Sequence, residues 1–161
     1  MINNSKCFML AATLATTLLA TSAMAQDAGG TLKKIKDTGV ITLGHRESSI
    51  PFSYYDDKQQ VIGYSHELML KAVDAIKAEL KLSKLEVKLM PVTSANRITL
   101  VQNGSVDLEC GSTTNNTERQ KQVGFSNTIF IIGTRLMTKT NSGIKDFSDL
   151  AGKNVVTTAG T

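Results

Sequence analysis

Short apolar runs alternate with longer segments of helical periodicity along the chain from residue 31 onward. Residues 40–44 are almost wholly apolar, which is typical of a strand buried on both faces. Residues 85–90 and 106–110 predict two further strands. Between the first two strands, apolar residues of 66–80 recur at helical spacing, and we predict a long helix there that Ser65 caps.

The remaining elements are shorter. Residues 31–38 predict a helix that turns Leu32 and Ile35 inward, and 51–55 with 61–64 predict a hairpin around a polar turn. A helix is expected to open at 93–97 and end at 103–104. The pattern also predicts helical turns at 117–122 and 147–150 and strands at 128–138 and 154–157. This order predicts an α/β domain with a largely parallel sheet.

The first residues have the pattern of a secretory signal peptide. Lys6 precedes an apolar run at 7–20, and the small residues Ala23 and Ala25 favour cleavage before Gln26. The apolar run is too short to cross a bilayer as a stable helix. A buried first helix of a cytosolic protein is the alternative, but it requires a polar face that this run lacks. We therefore predict a periplasmic protein.

Charge, length and cysteine content limit the partners and the number of domains that this chain can have. The chain of 161 residues carries a net charge of +4, and the excess is small and dispersed, so we expect no nucleic-acid partner. The part after residue 25 is long enough for one compact domain and short for two. Cleavage leaves Cys110 as the one cysteine; either it is buried and inert, or its partner lies in protein that this chain does not contain.

Candidate binding residues follow each predicted strand. Ligands of parallel sheets lie at the carboxyl ends of the strands. Guanidinium groups match carboxylates with two parallel hydrogen bonds, and hydroxyls add donors and acceptors, so a small anion with more than one carboxylate is the expected guest. Each residue also has a purely structural alternative, such as helix capping or a surface ion pair. The candidates are Arg46, Ser94, Arg97, Ser112, Thr114 and Arg119.

The chain lacks the patterns of common catalytic and metal sites. His45 and His66 are its histidines, and neither has a partner at metal-ligand spacing. A Gly-x-Ser-x-Gly nucleophile turn is also missing. We predict no catalytic residue, no metal and no cofactor.

Several motifs resemble a known family. HRESS at 45–49, ECGSTTNN at 109–116 and TER at 117–119 are similar to the glutamate/aspartate-binding branch of the family 3 periplasmic solute-binding proteins, which serve ABC importers. The resemblance extends over nearly all of 31–161. It implies a type II periplasmic binding protein lobe that acts as a monomer with a membrane permease and takes L-glutamate or L-aspartate.

The resemblance also assigns roles to residues. It implies that Arg119 holds the α-carboxylate with Ser112 and Thr114 nearby. Arg46, Ser94 and Arg97 would surround the side-chain carboxylate, and Thr161 would begin a ligand-contacting turn of the second lobe.

The domain organisation expected from the resemblance is a signal peptide at 1–25, a first lobe at 26–138, and the hinge exit with the start of an incomplete second lobe at 139–161. The chain is then a fragment of a two-lobed clamp, and a single lobe should bind its ligand more weakly. Two other classes use the same fold: a periplasmic dehydratase-like enzyme and a sensory ligand-binding domain.

Overall fold

The computed structural model describes residues 30–161, so the predicted signal peptide lies outside the described residues. Within that part of the chain, no helix is both long and apolar enough to cross a membrane. The elements are α1 (Thr31–Thr38), β1 (Val40–His45), β2 (Ser48–Ser49), β3 (Ser53–Tyr55), β4 (Val61–Ile62), α2 (Tyr64–Glu79), β5 (Glu86–Pro91), α3 (Arg97–Gln102), β6 (Leu108–Glu109), α4 (Thr117–Gln120) and a 3-10 turn at Phe147–Leu150.

Two small sheets organise these elements. The first is parallel in the order β5-β1-β6, and the second is an antiparallel meander in the order β2-β3-β4. The β1 strand is central, and it pairs with β5 along its whole length and with β6 at Leu43 and Gly44. The predicted α/β lobe with a mostly parallel sheet is confirmed, as is the predicted hairpin.

The core lies between the parallel sheet and the helices α1 and α2. It is formed by Ile35 of α1, Ile41 and Leu43 of β1, and Met69 and Val73 of α2, all nearly inaccessible to solvent. Burial of such side chains stabilises the fold by about 1.5–3 kcal/mol each. The predicted inward position of Leu32 is wrong: Ile35 is the buried residue of α1, and Leu32, in the first turn of the helix, is 40% exposed.

The start of α2 differs from the prediction. Gly63 precedes the helix, and Ser65 does not cap it. The backbone N–H groups of Tyr64 and Ser65 instead donate to the carbonyl oxygens of Pro51 and Phe52, at 3.0 and 2.8 Å. These carbonyls satisfy the free donors of the first turn. The Ser65 hydroxyl is therefore available to donate to the Gly111 carbonyl, at 2.8 Å.

Two predicted strands do not form. Residues 128–138 and 154–157 have no regular secondary structure, although they carry exposed apolar side chains such as Ile131 and Val156. A strand requires a neighbour that accepts its backbone hydrogen bonds. Among residues 30–161 no strand pairs with either segment, so their apolar composition alone does not produce a sheet.

A buried carboxylate fixes the loop that leads into β6. Asp107 accepts from the Thr42 backbone N–H at 2.9 Å and from Lys34 Nζ at 2.8 Å, and its side chain is only 2% exposed. Lys34 also donates to the Gly104 carbonyl at 3.0 Å. Asp107 therefore joins α1, β1 and the β6 loop, which positions β6 and the site that follows it.

Replacing Asp107 with alanine should lower the free energy of unfolding by about 1–3 kcal/mol, because the Thr42 N–H is then left unsatisfied. Urea unfolding of the purified chain measures the change. The matched control is Asp37→Ala, which removes an exposed ion pair with Lys33 one helical turn away. It should cost about 0.5 kcal/mol or less. Equal losses in the two variants would contradict the role given to Asp107.

Candidate functional site

The predicted residues meet at the carboxyl edge of the parallel sheet. Arg46 follows β1, Ser94 and Arg97 follow β5, and Arg119 lies in α4 after β6. Burial lowers the pKa of Arg97, and charge repulsion from Arg119 and Arg46 lowers it further. The three guanidinium groups are thus close enough to act on one another, as the strand order predicts.

Arg46 and Ser94 are in direct contact. Arg46 Nη1 donates to Ser94 Oγ at 2.7 Å, and the Ser94 side chain is buried. The Arg46 backbone N–H donates to Ser53 Oγ at 2.9 Å, which holds the residue between the two sheets. The loop after β1 and the loop after β5 are therefore joined at the site.

Arg97 is the most unusual member of the cluster. Its side chain is 2% exposed, yet Nε and Nη1 have no hydrogen-bond partner. Burial lowers the pKa of Arg97, with the charge of Glu109 acting in the opposite direction. Buried polar groups are almost always paired, and an unpaired charged donor is costly. An anion in contact with these nitrogens would remove that cost.

Arg119 is held by two backbone carbonyls. Nη1 donates to the Thr114 carbonyl at 3.0 Å, and Nη2 donates to the Gly160 carbonyl at 2.8 Å. Asn116 caps α4 by accepting from the Arg119 backbone N–H at 2.9 Å. Asn116 is thus the cap of α4, and Thr114 contributes its carbonyl oxygen to Arg119.

The hydroxyl candidates are placed differently from one another. Ser112 and Thr114 are exposed and line an open cavity of about 500 Å³ together with Arg97. Thr161 is exposed, and its hydroxyl donates to the Thr158 carbonyl at 2.8 Å, so it is engaged within its own turn. Its neighbour Gly160 reaches the site, because a Cβ there would lie 2.7 Å from the Ser94 carbonyl oxygen.

Glu109 belongs to the site but is missing from the sequence-based candidates. Its Oε2 accepts from Thr113 Oγ1 at 2.7 Å, and its Oε1 is buried without a partner. Burial raises the pKa of Glu109, while Thr113 and the charges of Arg97, Arg46 and Arg119 lower it. The available signal was a carboxylate in the last position of a strand at the same edge as the arginines.

Gly111 makes room for this arrangement. A Cβ at Gly111 would lie 2.7 Å from Arg46 Cγ and 3.0 Å from Glu109 Oε1. Any side chain there would push apart the cation and the anion that flank it. The glycine of the ECGSTTNN motif is therefore required by close packing at the site.

Metal binding has no support in the described part of the chain. Residues 30–161 contain no group of three or more His, Cys, Asp or Glu side chains placed to hold a metal ion. His45 is buried against Tyr55, with ring centroids 5.3 Å apart. The pKa of the buried His66 is lowered by burial and by the nearby His45. Both histidines lie in packed surroundings.

Comparison with known proteins decides the family. The family model described as bacterial extracellular solute-binding proteins, family 3, matches residues 41–157. The chain belongs to this family. The description of the family as extracellular agrees with an exported, periplasmic chain.

Two relatives are similar over most of the chain. The L-glutamate/L-aspartate-binding protein of Pseudomonas aeruginosa is 60% identical over 95% of this chain and 51% of its own length. The glutamate/aspartate import solute-binding protein of Salmonella typhimurium is 61% identical over 83% of this chain and 44% of its own length. Both are named as binding proteins. The chain spans about half the length of the curated relatives it matches.

A solved structure supports the fold. The solute receptor for L-cysteine of Neisseria gonorrhoeae superposes with a TM-score of 0.52 at 28% identity, over 60% of this chain and 38% of the receptor. The predicted type II periplasmic binding protein lobe is thereby confirmed for this family 3 chain.

Proposed function

We propose that this family 3 chain is the ligand-recognising lobe of a periplasmic binding component that delivers L-glutamate or L-aspartate to an ABC importer. The observation that carries the proposal is the convergence of Arg46, Arg97 and Arg119, with two buried nitrogens of Arg97 left unpaired. The names of the two relatives, which are about 60% identical, support the choice of acidic amino acids.

Each of the ligand's two carboxylates would bind a different set of arginines. Arg119 would take the α-carboxylate by exchanging its backbone carbonyl partners for carboxylate oxygens, with Ser112 and Thr114 beside it. Arg97 and Arg46, the latter already bonded to Ser94, would take the side-chain carboxylate. Charge-assisted bonds of this kind are roughly twice as strong as neutral ones. Thr161 and Gly160 would approach the ligand from the far side.

The wider setting is part of the same proposal. Residues 1–25 would be a cleaved signal peptide, 26–138 the first lobe, and 139–161 the exit to a second lobe. The protein would act as a monomer on a membrane permease. We propose binding without turnover, which the names of both relatives support.

Calorimetric titration of the purified chain with L-glutamate, L-aspartate and L-glutamine tests the proposal. The two acids should bind at least about 100-fold more tightly than glutamine, because the glutamine amide leaves a buried guanidinium without an anionic partner. Circular dichroism establishes that the chain is folded. Glutamine binding equal to glutamate binding would contradict the proposal, as would a folded chain that binds none of the three.

Replacing Arg119 with lysine tests the geometry of that contact. Lysine keeps the charge but cannot form two parallel bonds to a carboxylate, so affinity for L-glutamate should fall about tenfold or more. Arg135→Lys is the matched control, because Arg135 is an exposed arginine that lines a separate surface cavity with Lys145 and Phe147. Unchanged affinity in Arg119→Lys would remove Arg119 from the proposed site.

A further inference from the structure

Glu109 places a negative charge inside a site that attracts anions. It ends β6, opposite Gly44 of β1, and a Cβ at Gly44 would lie 3.3 Å from Glu109 Cγ. Its carboxylate is therefore held within the protein at the arginine edge. Oε2 is bonded to Thr113, and Oε1 is buried and unpaired.

The charged and titratable groups around Glu109 come from several elements. Arg97 of α3, Arg46 after β1 and Arg119 of α4 stabilise its ionised form, and Cys110 is its neighbour in the chain. Within residues 30–161, no arginine nitrogen lies within 4.0 Å of a Glu109 oxygen. Glu109 is thus stabilised by the field of the arginines and lacks a fixed ion pair.

We propose that Glu109 is the internal counter-charge of this site, and that it takes up a proton when the arginines are neutralised by the carboxylates of a bound ligand. The inference rests on the proposed function for the identity of that ligand. Each ligand carboxylate cancels part of the positive field at Glu109 and adds a negative charge beside Oε1. Protonated Glu109 no longer repels the ligand, and its new O–H becomes a donor.

The direction of the pH dependence follows from the opposing influences on Glu109. Burial raises the pKa of Glu109 and the arginines lower it, so neutralising the arginines raises that pKa further. Binding then takes up protons, and affinity falls as pH rises from the Glu109 midpoint in the free chain to the midpoint in the complex. The ligand's side-chain carboxyl, with a pKa of about 4, is ionised above about pH 5.5 and does not interfere.

The first test needs no ligand. A carbon-13 NMR titration of glutamate carboxyl groups, with the Glu109 signal assigned by its loss in Glu109→Gln, gives the Glu109 midpoint in the free chain. Arg46→Met and Arg97→Met should each shift that midpoint upward. Lys58→Met, which changes an exposed charge in the β3-β4 turn, should leave it unchanged. A midpoint that does not move in either arginine variant would overturn the proposal.

The second test counts protons. Calorimetry of L-glutamate binding in phosphate and in Tris, between about pH 5.5 and 8, gives the number of protons taken up per ligand. The intact chain should take up a fraction of one proton, with affinity changing up to about tenfold per pH unit. Glu109→Gln should abolish that uptake and flatten the affinity profile. Binding with equal uptake in both proteins would sink the proposal and leave the proposed function intact.

A chain that binds neither acid would contradict the proposed function, and the free-chain titration would still decide the role of Glu109. The proposed function and the role of Glu109 are therefore tested by different experiments.

Discussion

Replacing Arg97 with methionine should weaken binding of L-glutamate by about 30-fold to several thousand-fold, the range found when one partner of a buried charge pair is truncated. The same change should leave the free energy of unfolding unchanged or raise it by about 1–3 kcal/mol. The reason is that the free chain loses a buried guanidinium whose Nε and Nη1 are unpaired. Calorimetric titration and urea unfolding measure the two quantities.

The control for this variant is Arg135→Met, the same change at an exposed arginine. It should alter neither affinity nor stability by more than about 0.5 kcal/mol. A loss of binding that comes with an equal loss of stability in Arg97→Met would mean that Arg97 holds the lobe together, and the assignment to the ligand would be wrong.

Replacing Gly63 with alanine should lower the free energy of unfolding by about 3 kcal/mol or more. Gly63 precedes α2 with φ 120° and ψ 165°, a region that is essentially restricted to glycine. A Cβ there would also lie 2.6 Å from the Phe52 carbonyl oxygen and 2.8 Å from that of Pro51. Those carbonyls accept from the first turn of α2, so the collision removes the helix cap as well.

The control for Gly63 separates strain from collision. Gly104 has φ +74°, and a Cβ there would meet no atom within 4 Å. Gly104→Ala should therefore cost about 1 kcal/mol, the cost of the left-handed backbone alone. Thermal or urea unfolding of both variants gives the comparison. A similar decrease in the free energy of unfolding at the two positions would show that the carbonyl groups of Pro51 and Phe52 can move away from the new Cβ. The cap of α2 would then not be rigid.

The elements that could be predicted from the sequence are those whose own residues show a clear hydrophobic pattern. The apolar run of β1 and the helical spacing of α2 both specify burial, and burial is what stabilises them. Residues 128–138 have equally apolar composition, yet a strand depends on a partner, and a pattern within one segment carries no information about its neighbours. The Ser65 cap failed for a similar reason, because backbone carbonyls from a distant turn satisfied the helix first.

The candidate site also contains residues that the sequence could predict and one that it could not. Arg46 and Arg97 were accessible to sequence reasoning because each follows a strand, and strand ends of a parallel sheet meet at one edge. Glu109 was missed because it counted as a strand residue, and its position depends on the pairing of Leu108 and Glu109 with Leu43 and Gly44. Such a register cannot be obtained from spacing along one chain.

The central position of β1 also determines when the site can exist. This strand precedes both of its partners in the chain. The hydrogen bond from the Thr42 backbone N–H to Asp107 joins residues 65 positions apart, so it forms only after the later residue is in place. Closing loops of this length costs entropy before any pairing energy is gained, so parallel sheets of this kind form late and slowly. Arg46, Arg97 and Glu109 come together only when β6 has joined β1. A nascent chain that ends before Glu109 therefore cannot contain the assembled arginine edge, and we expect ligand binding in a refolding experiment to begin only after β6 has paired with β1.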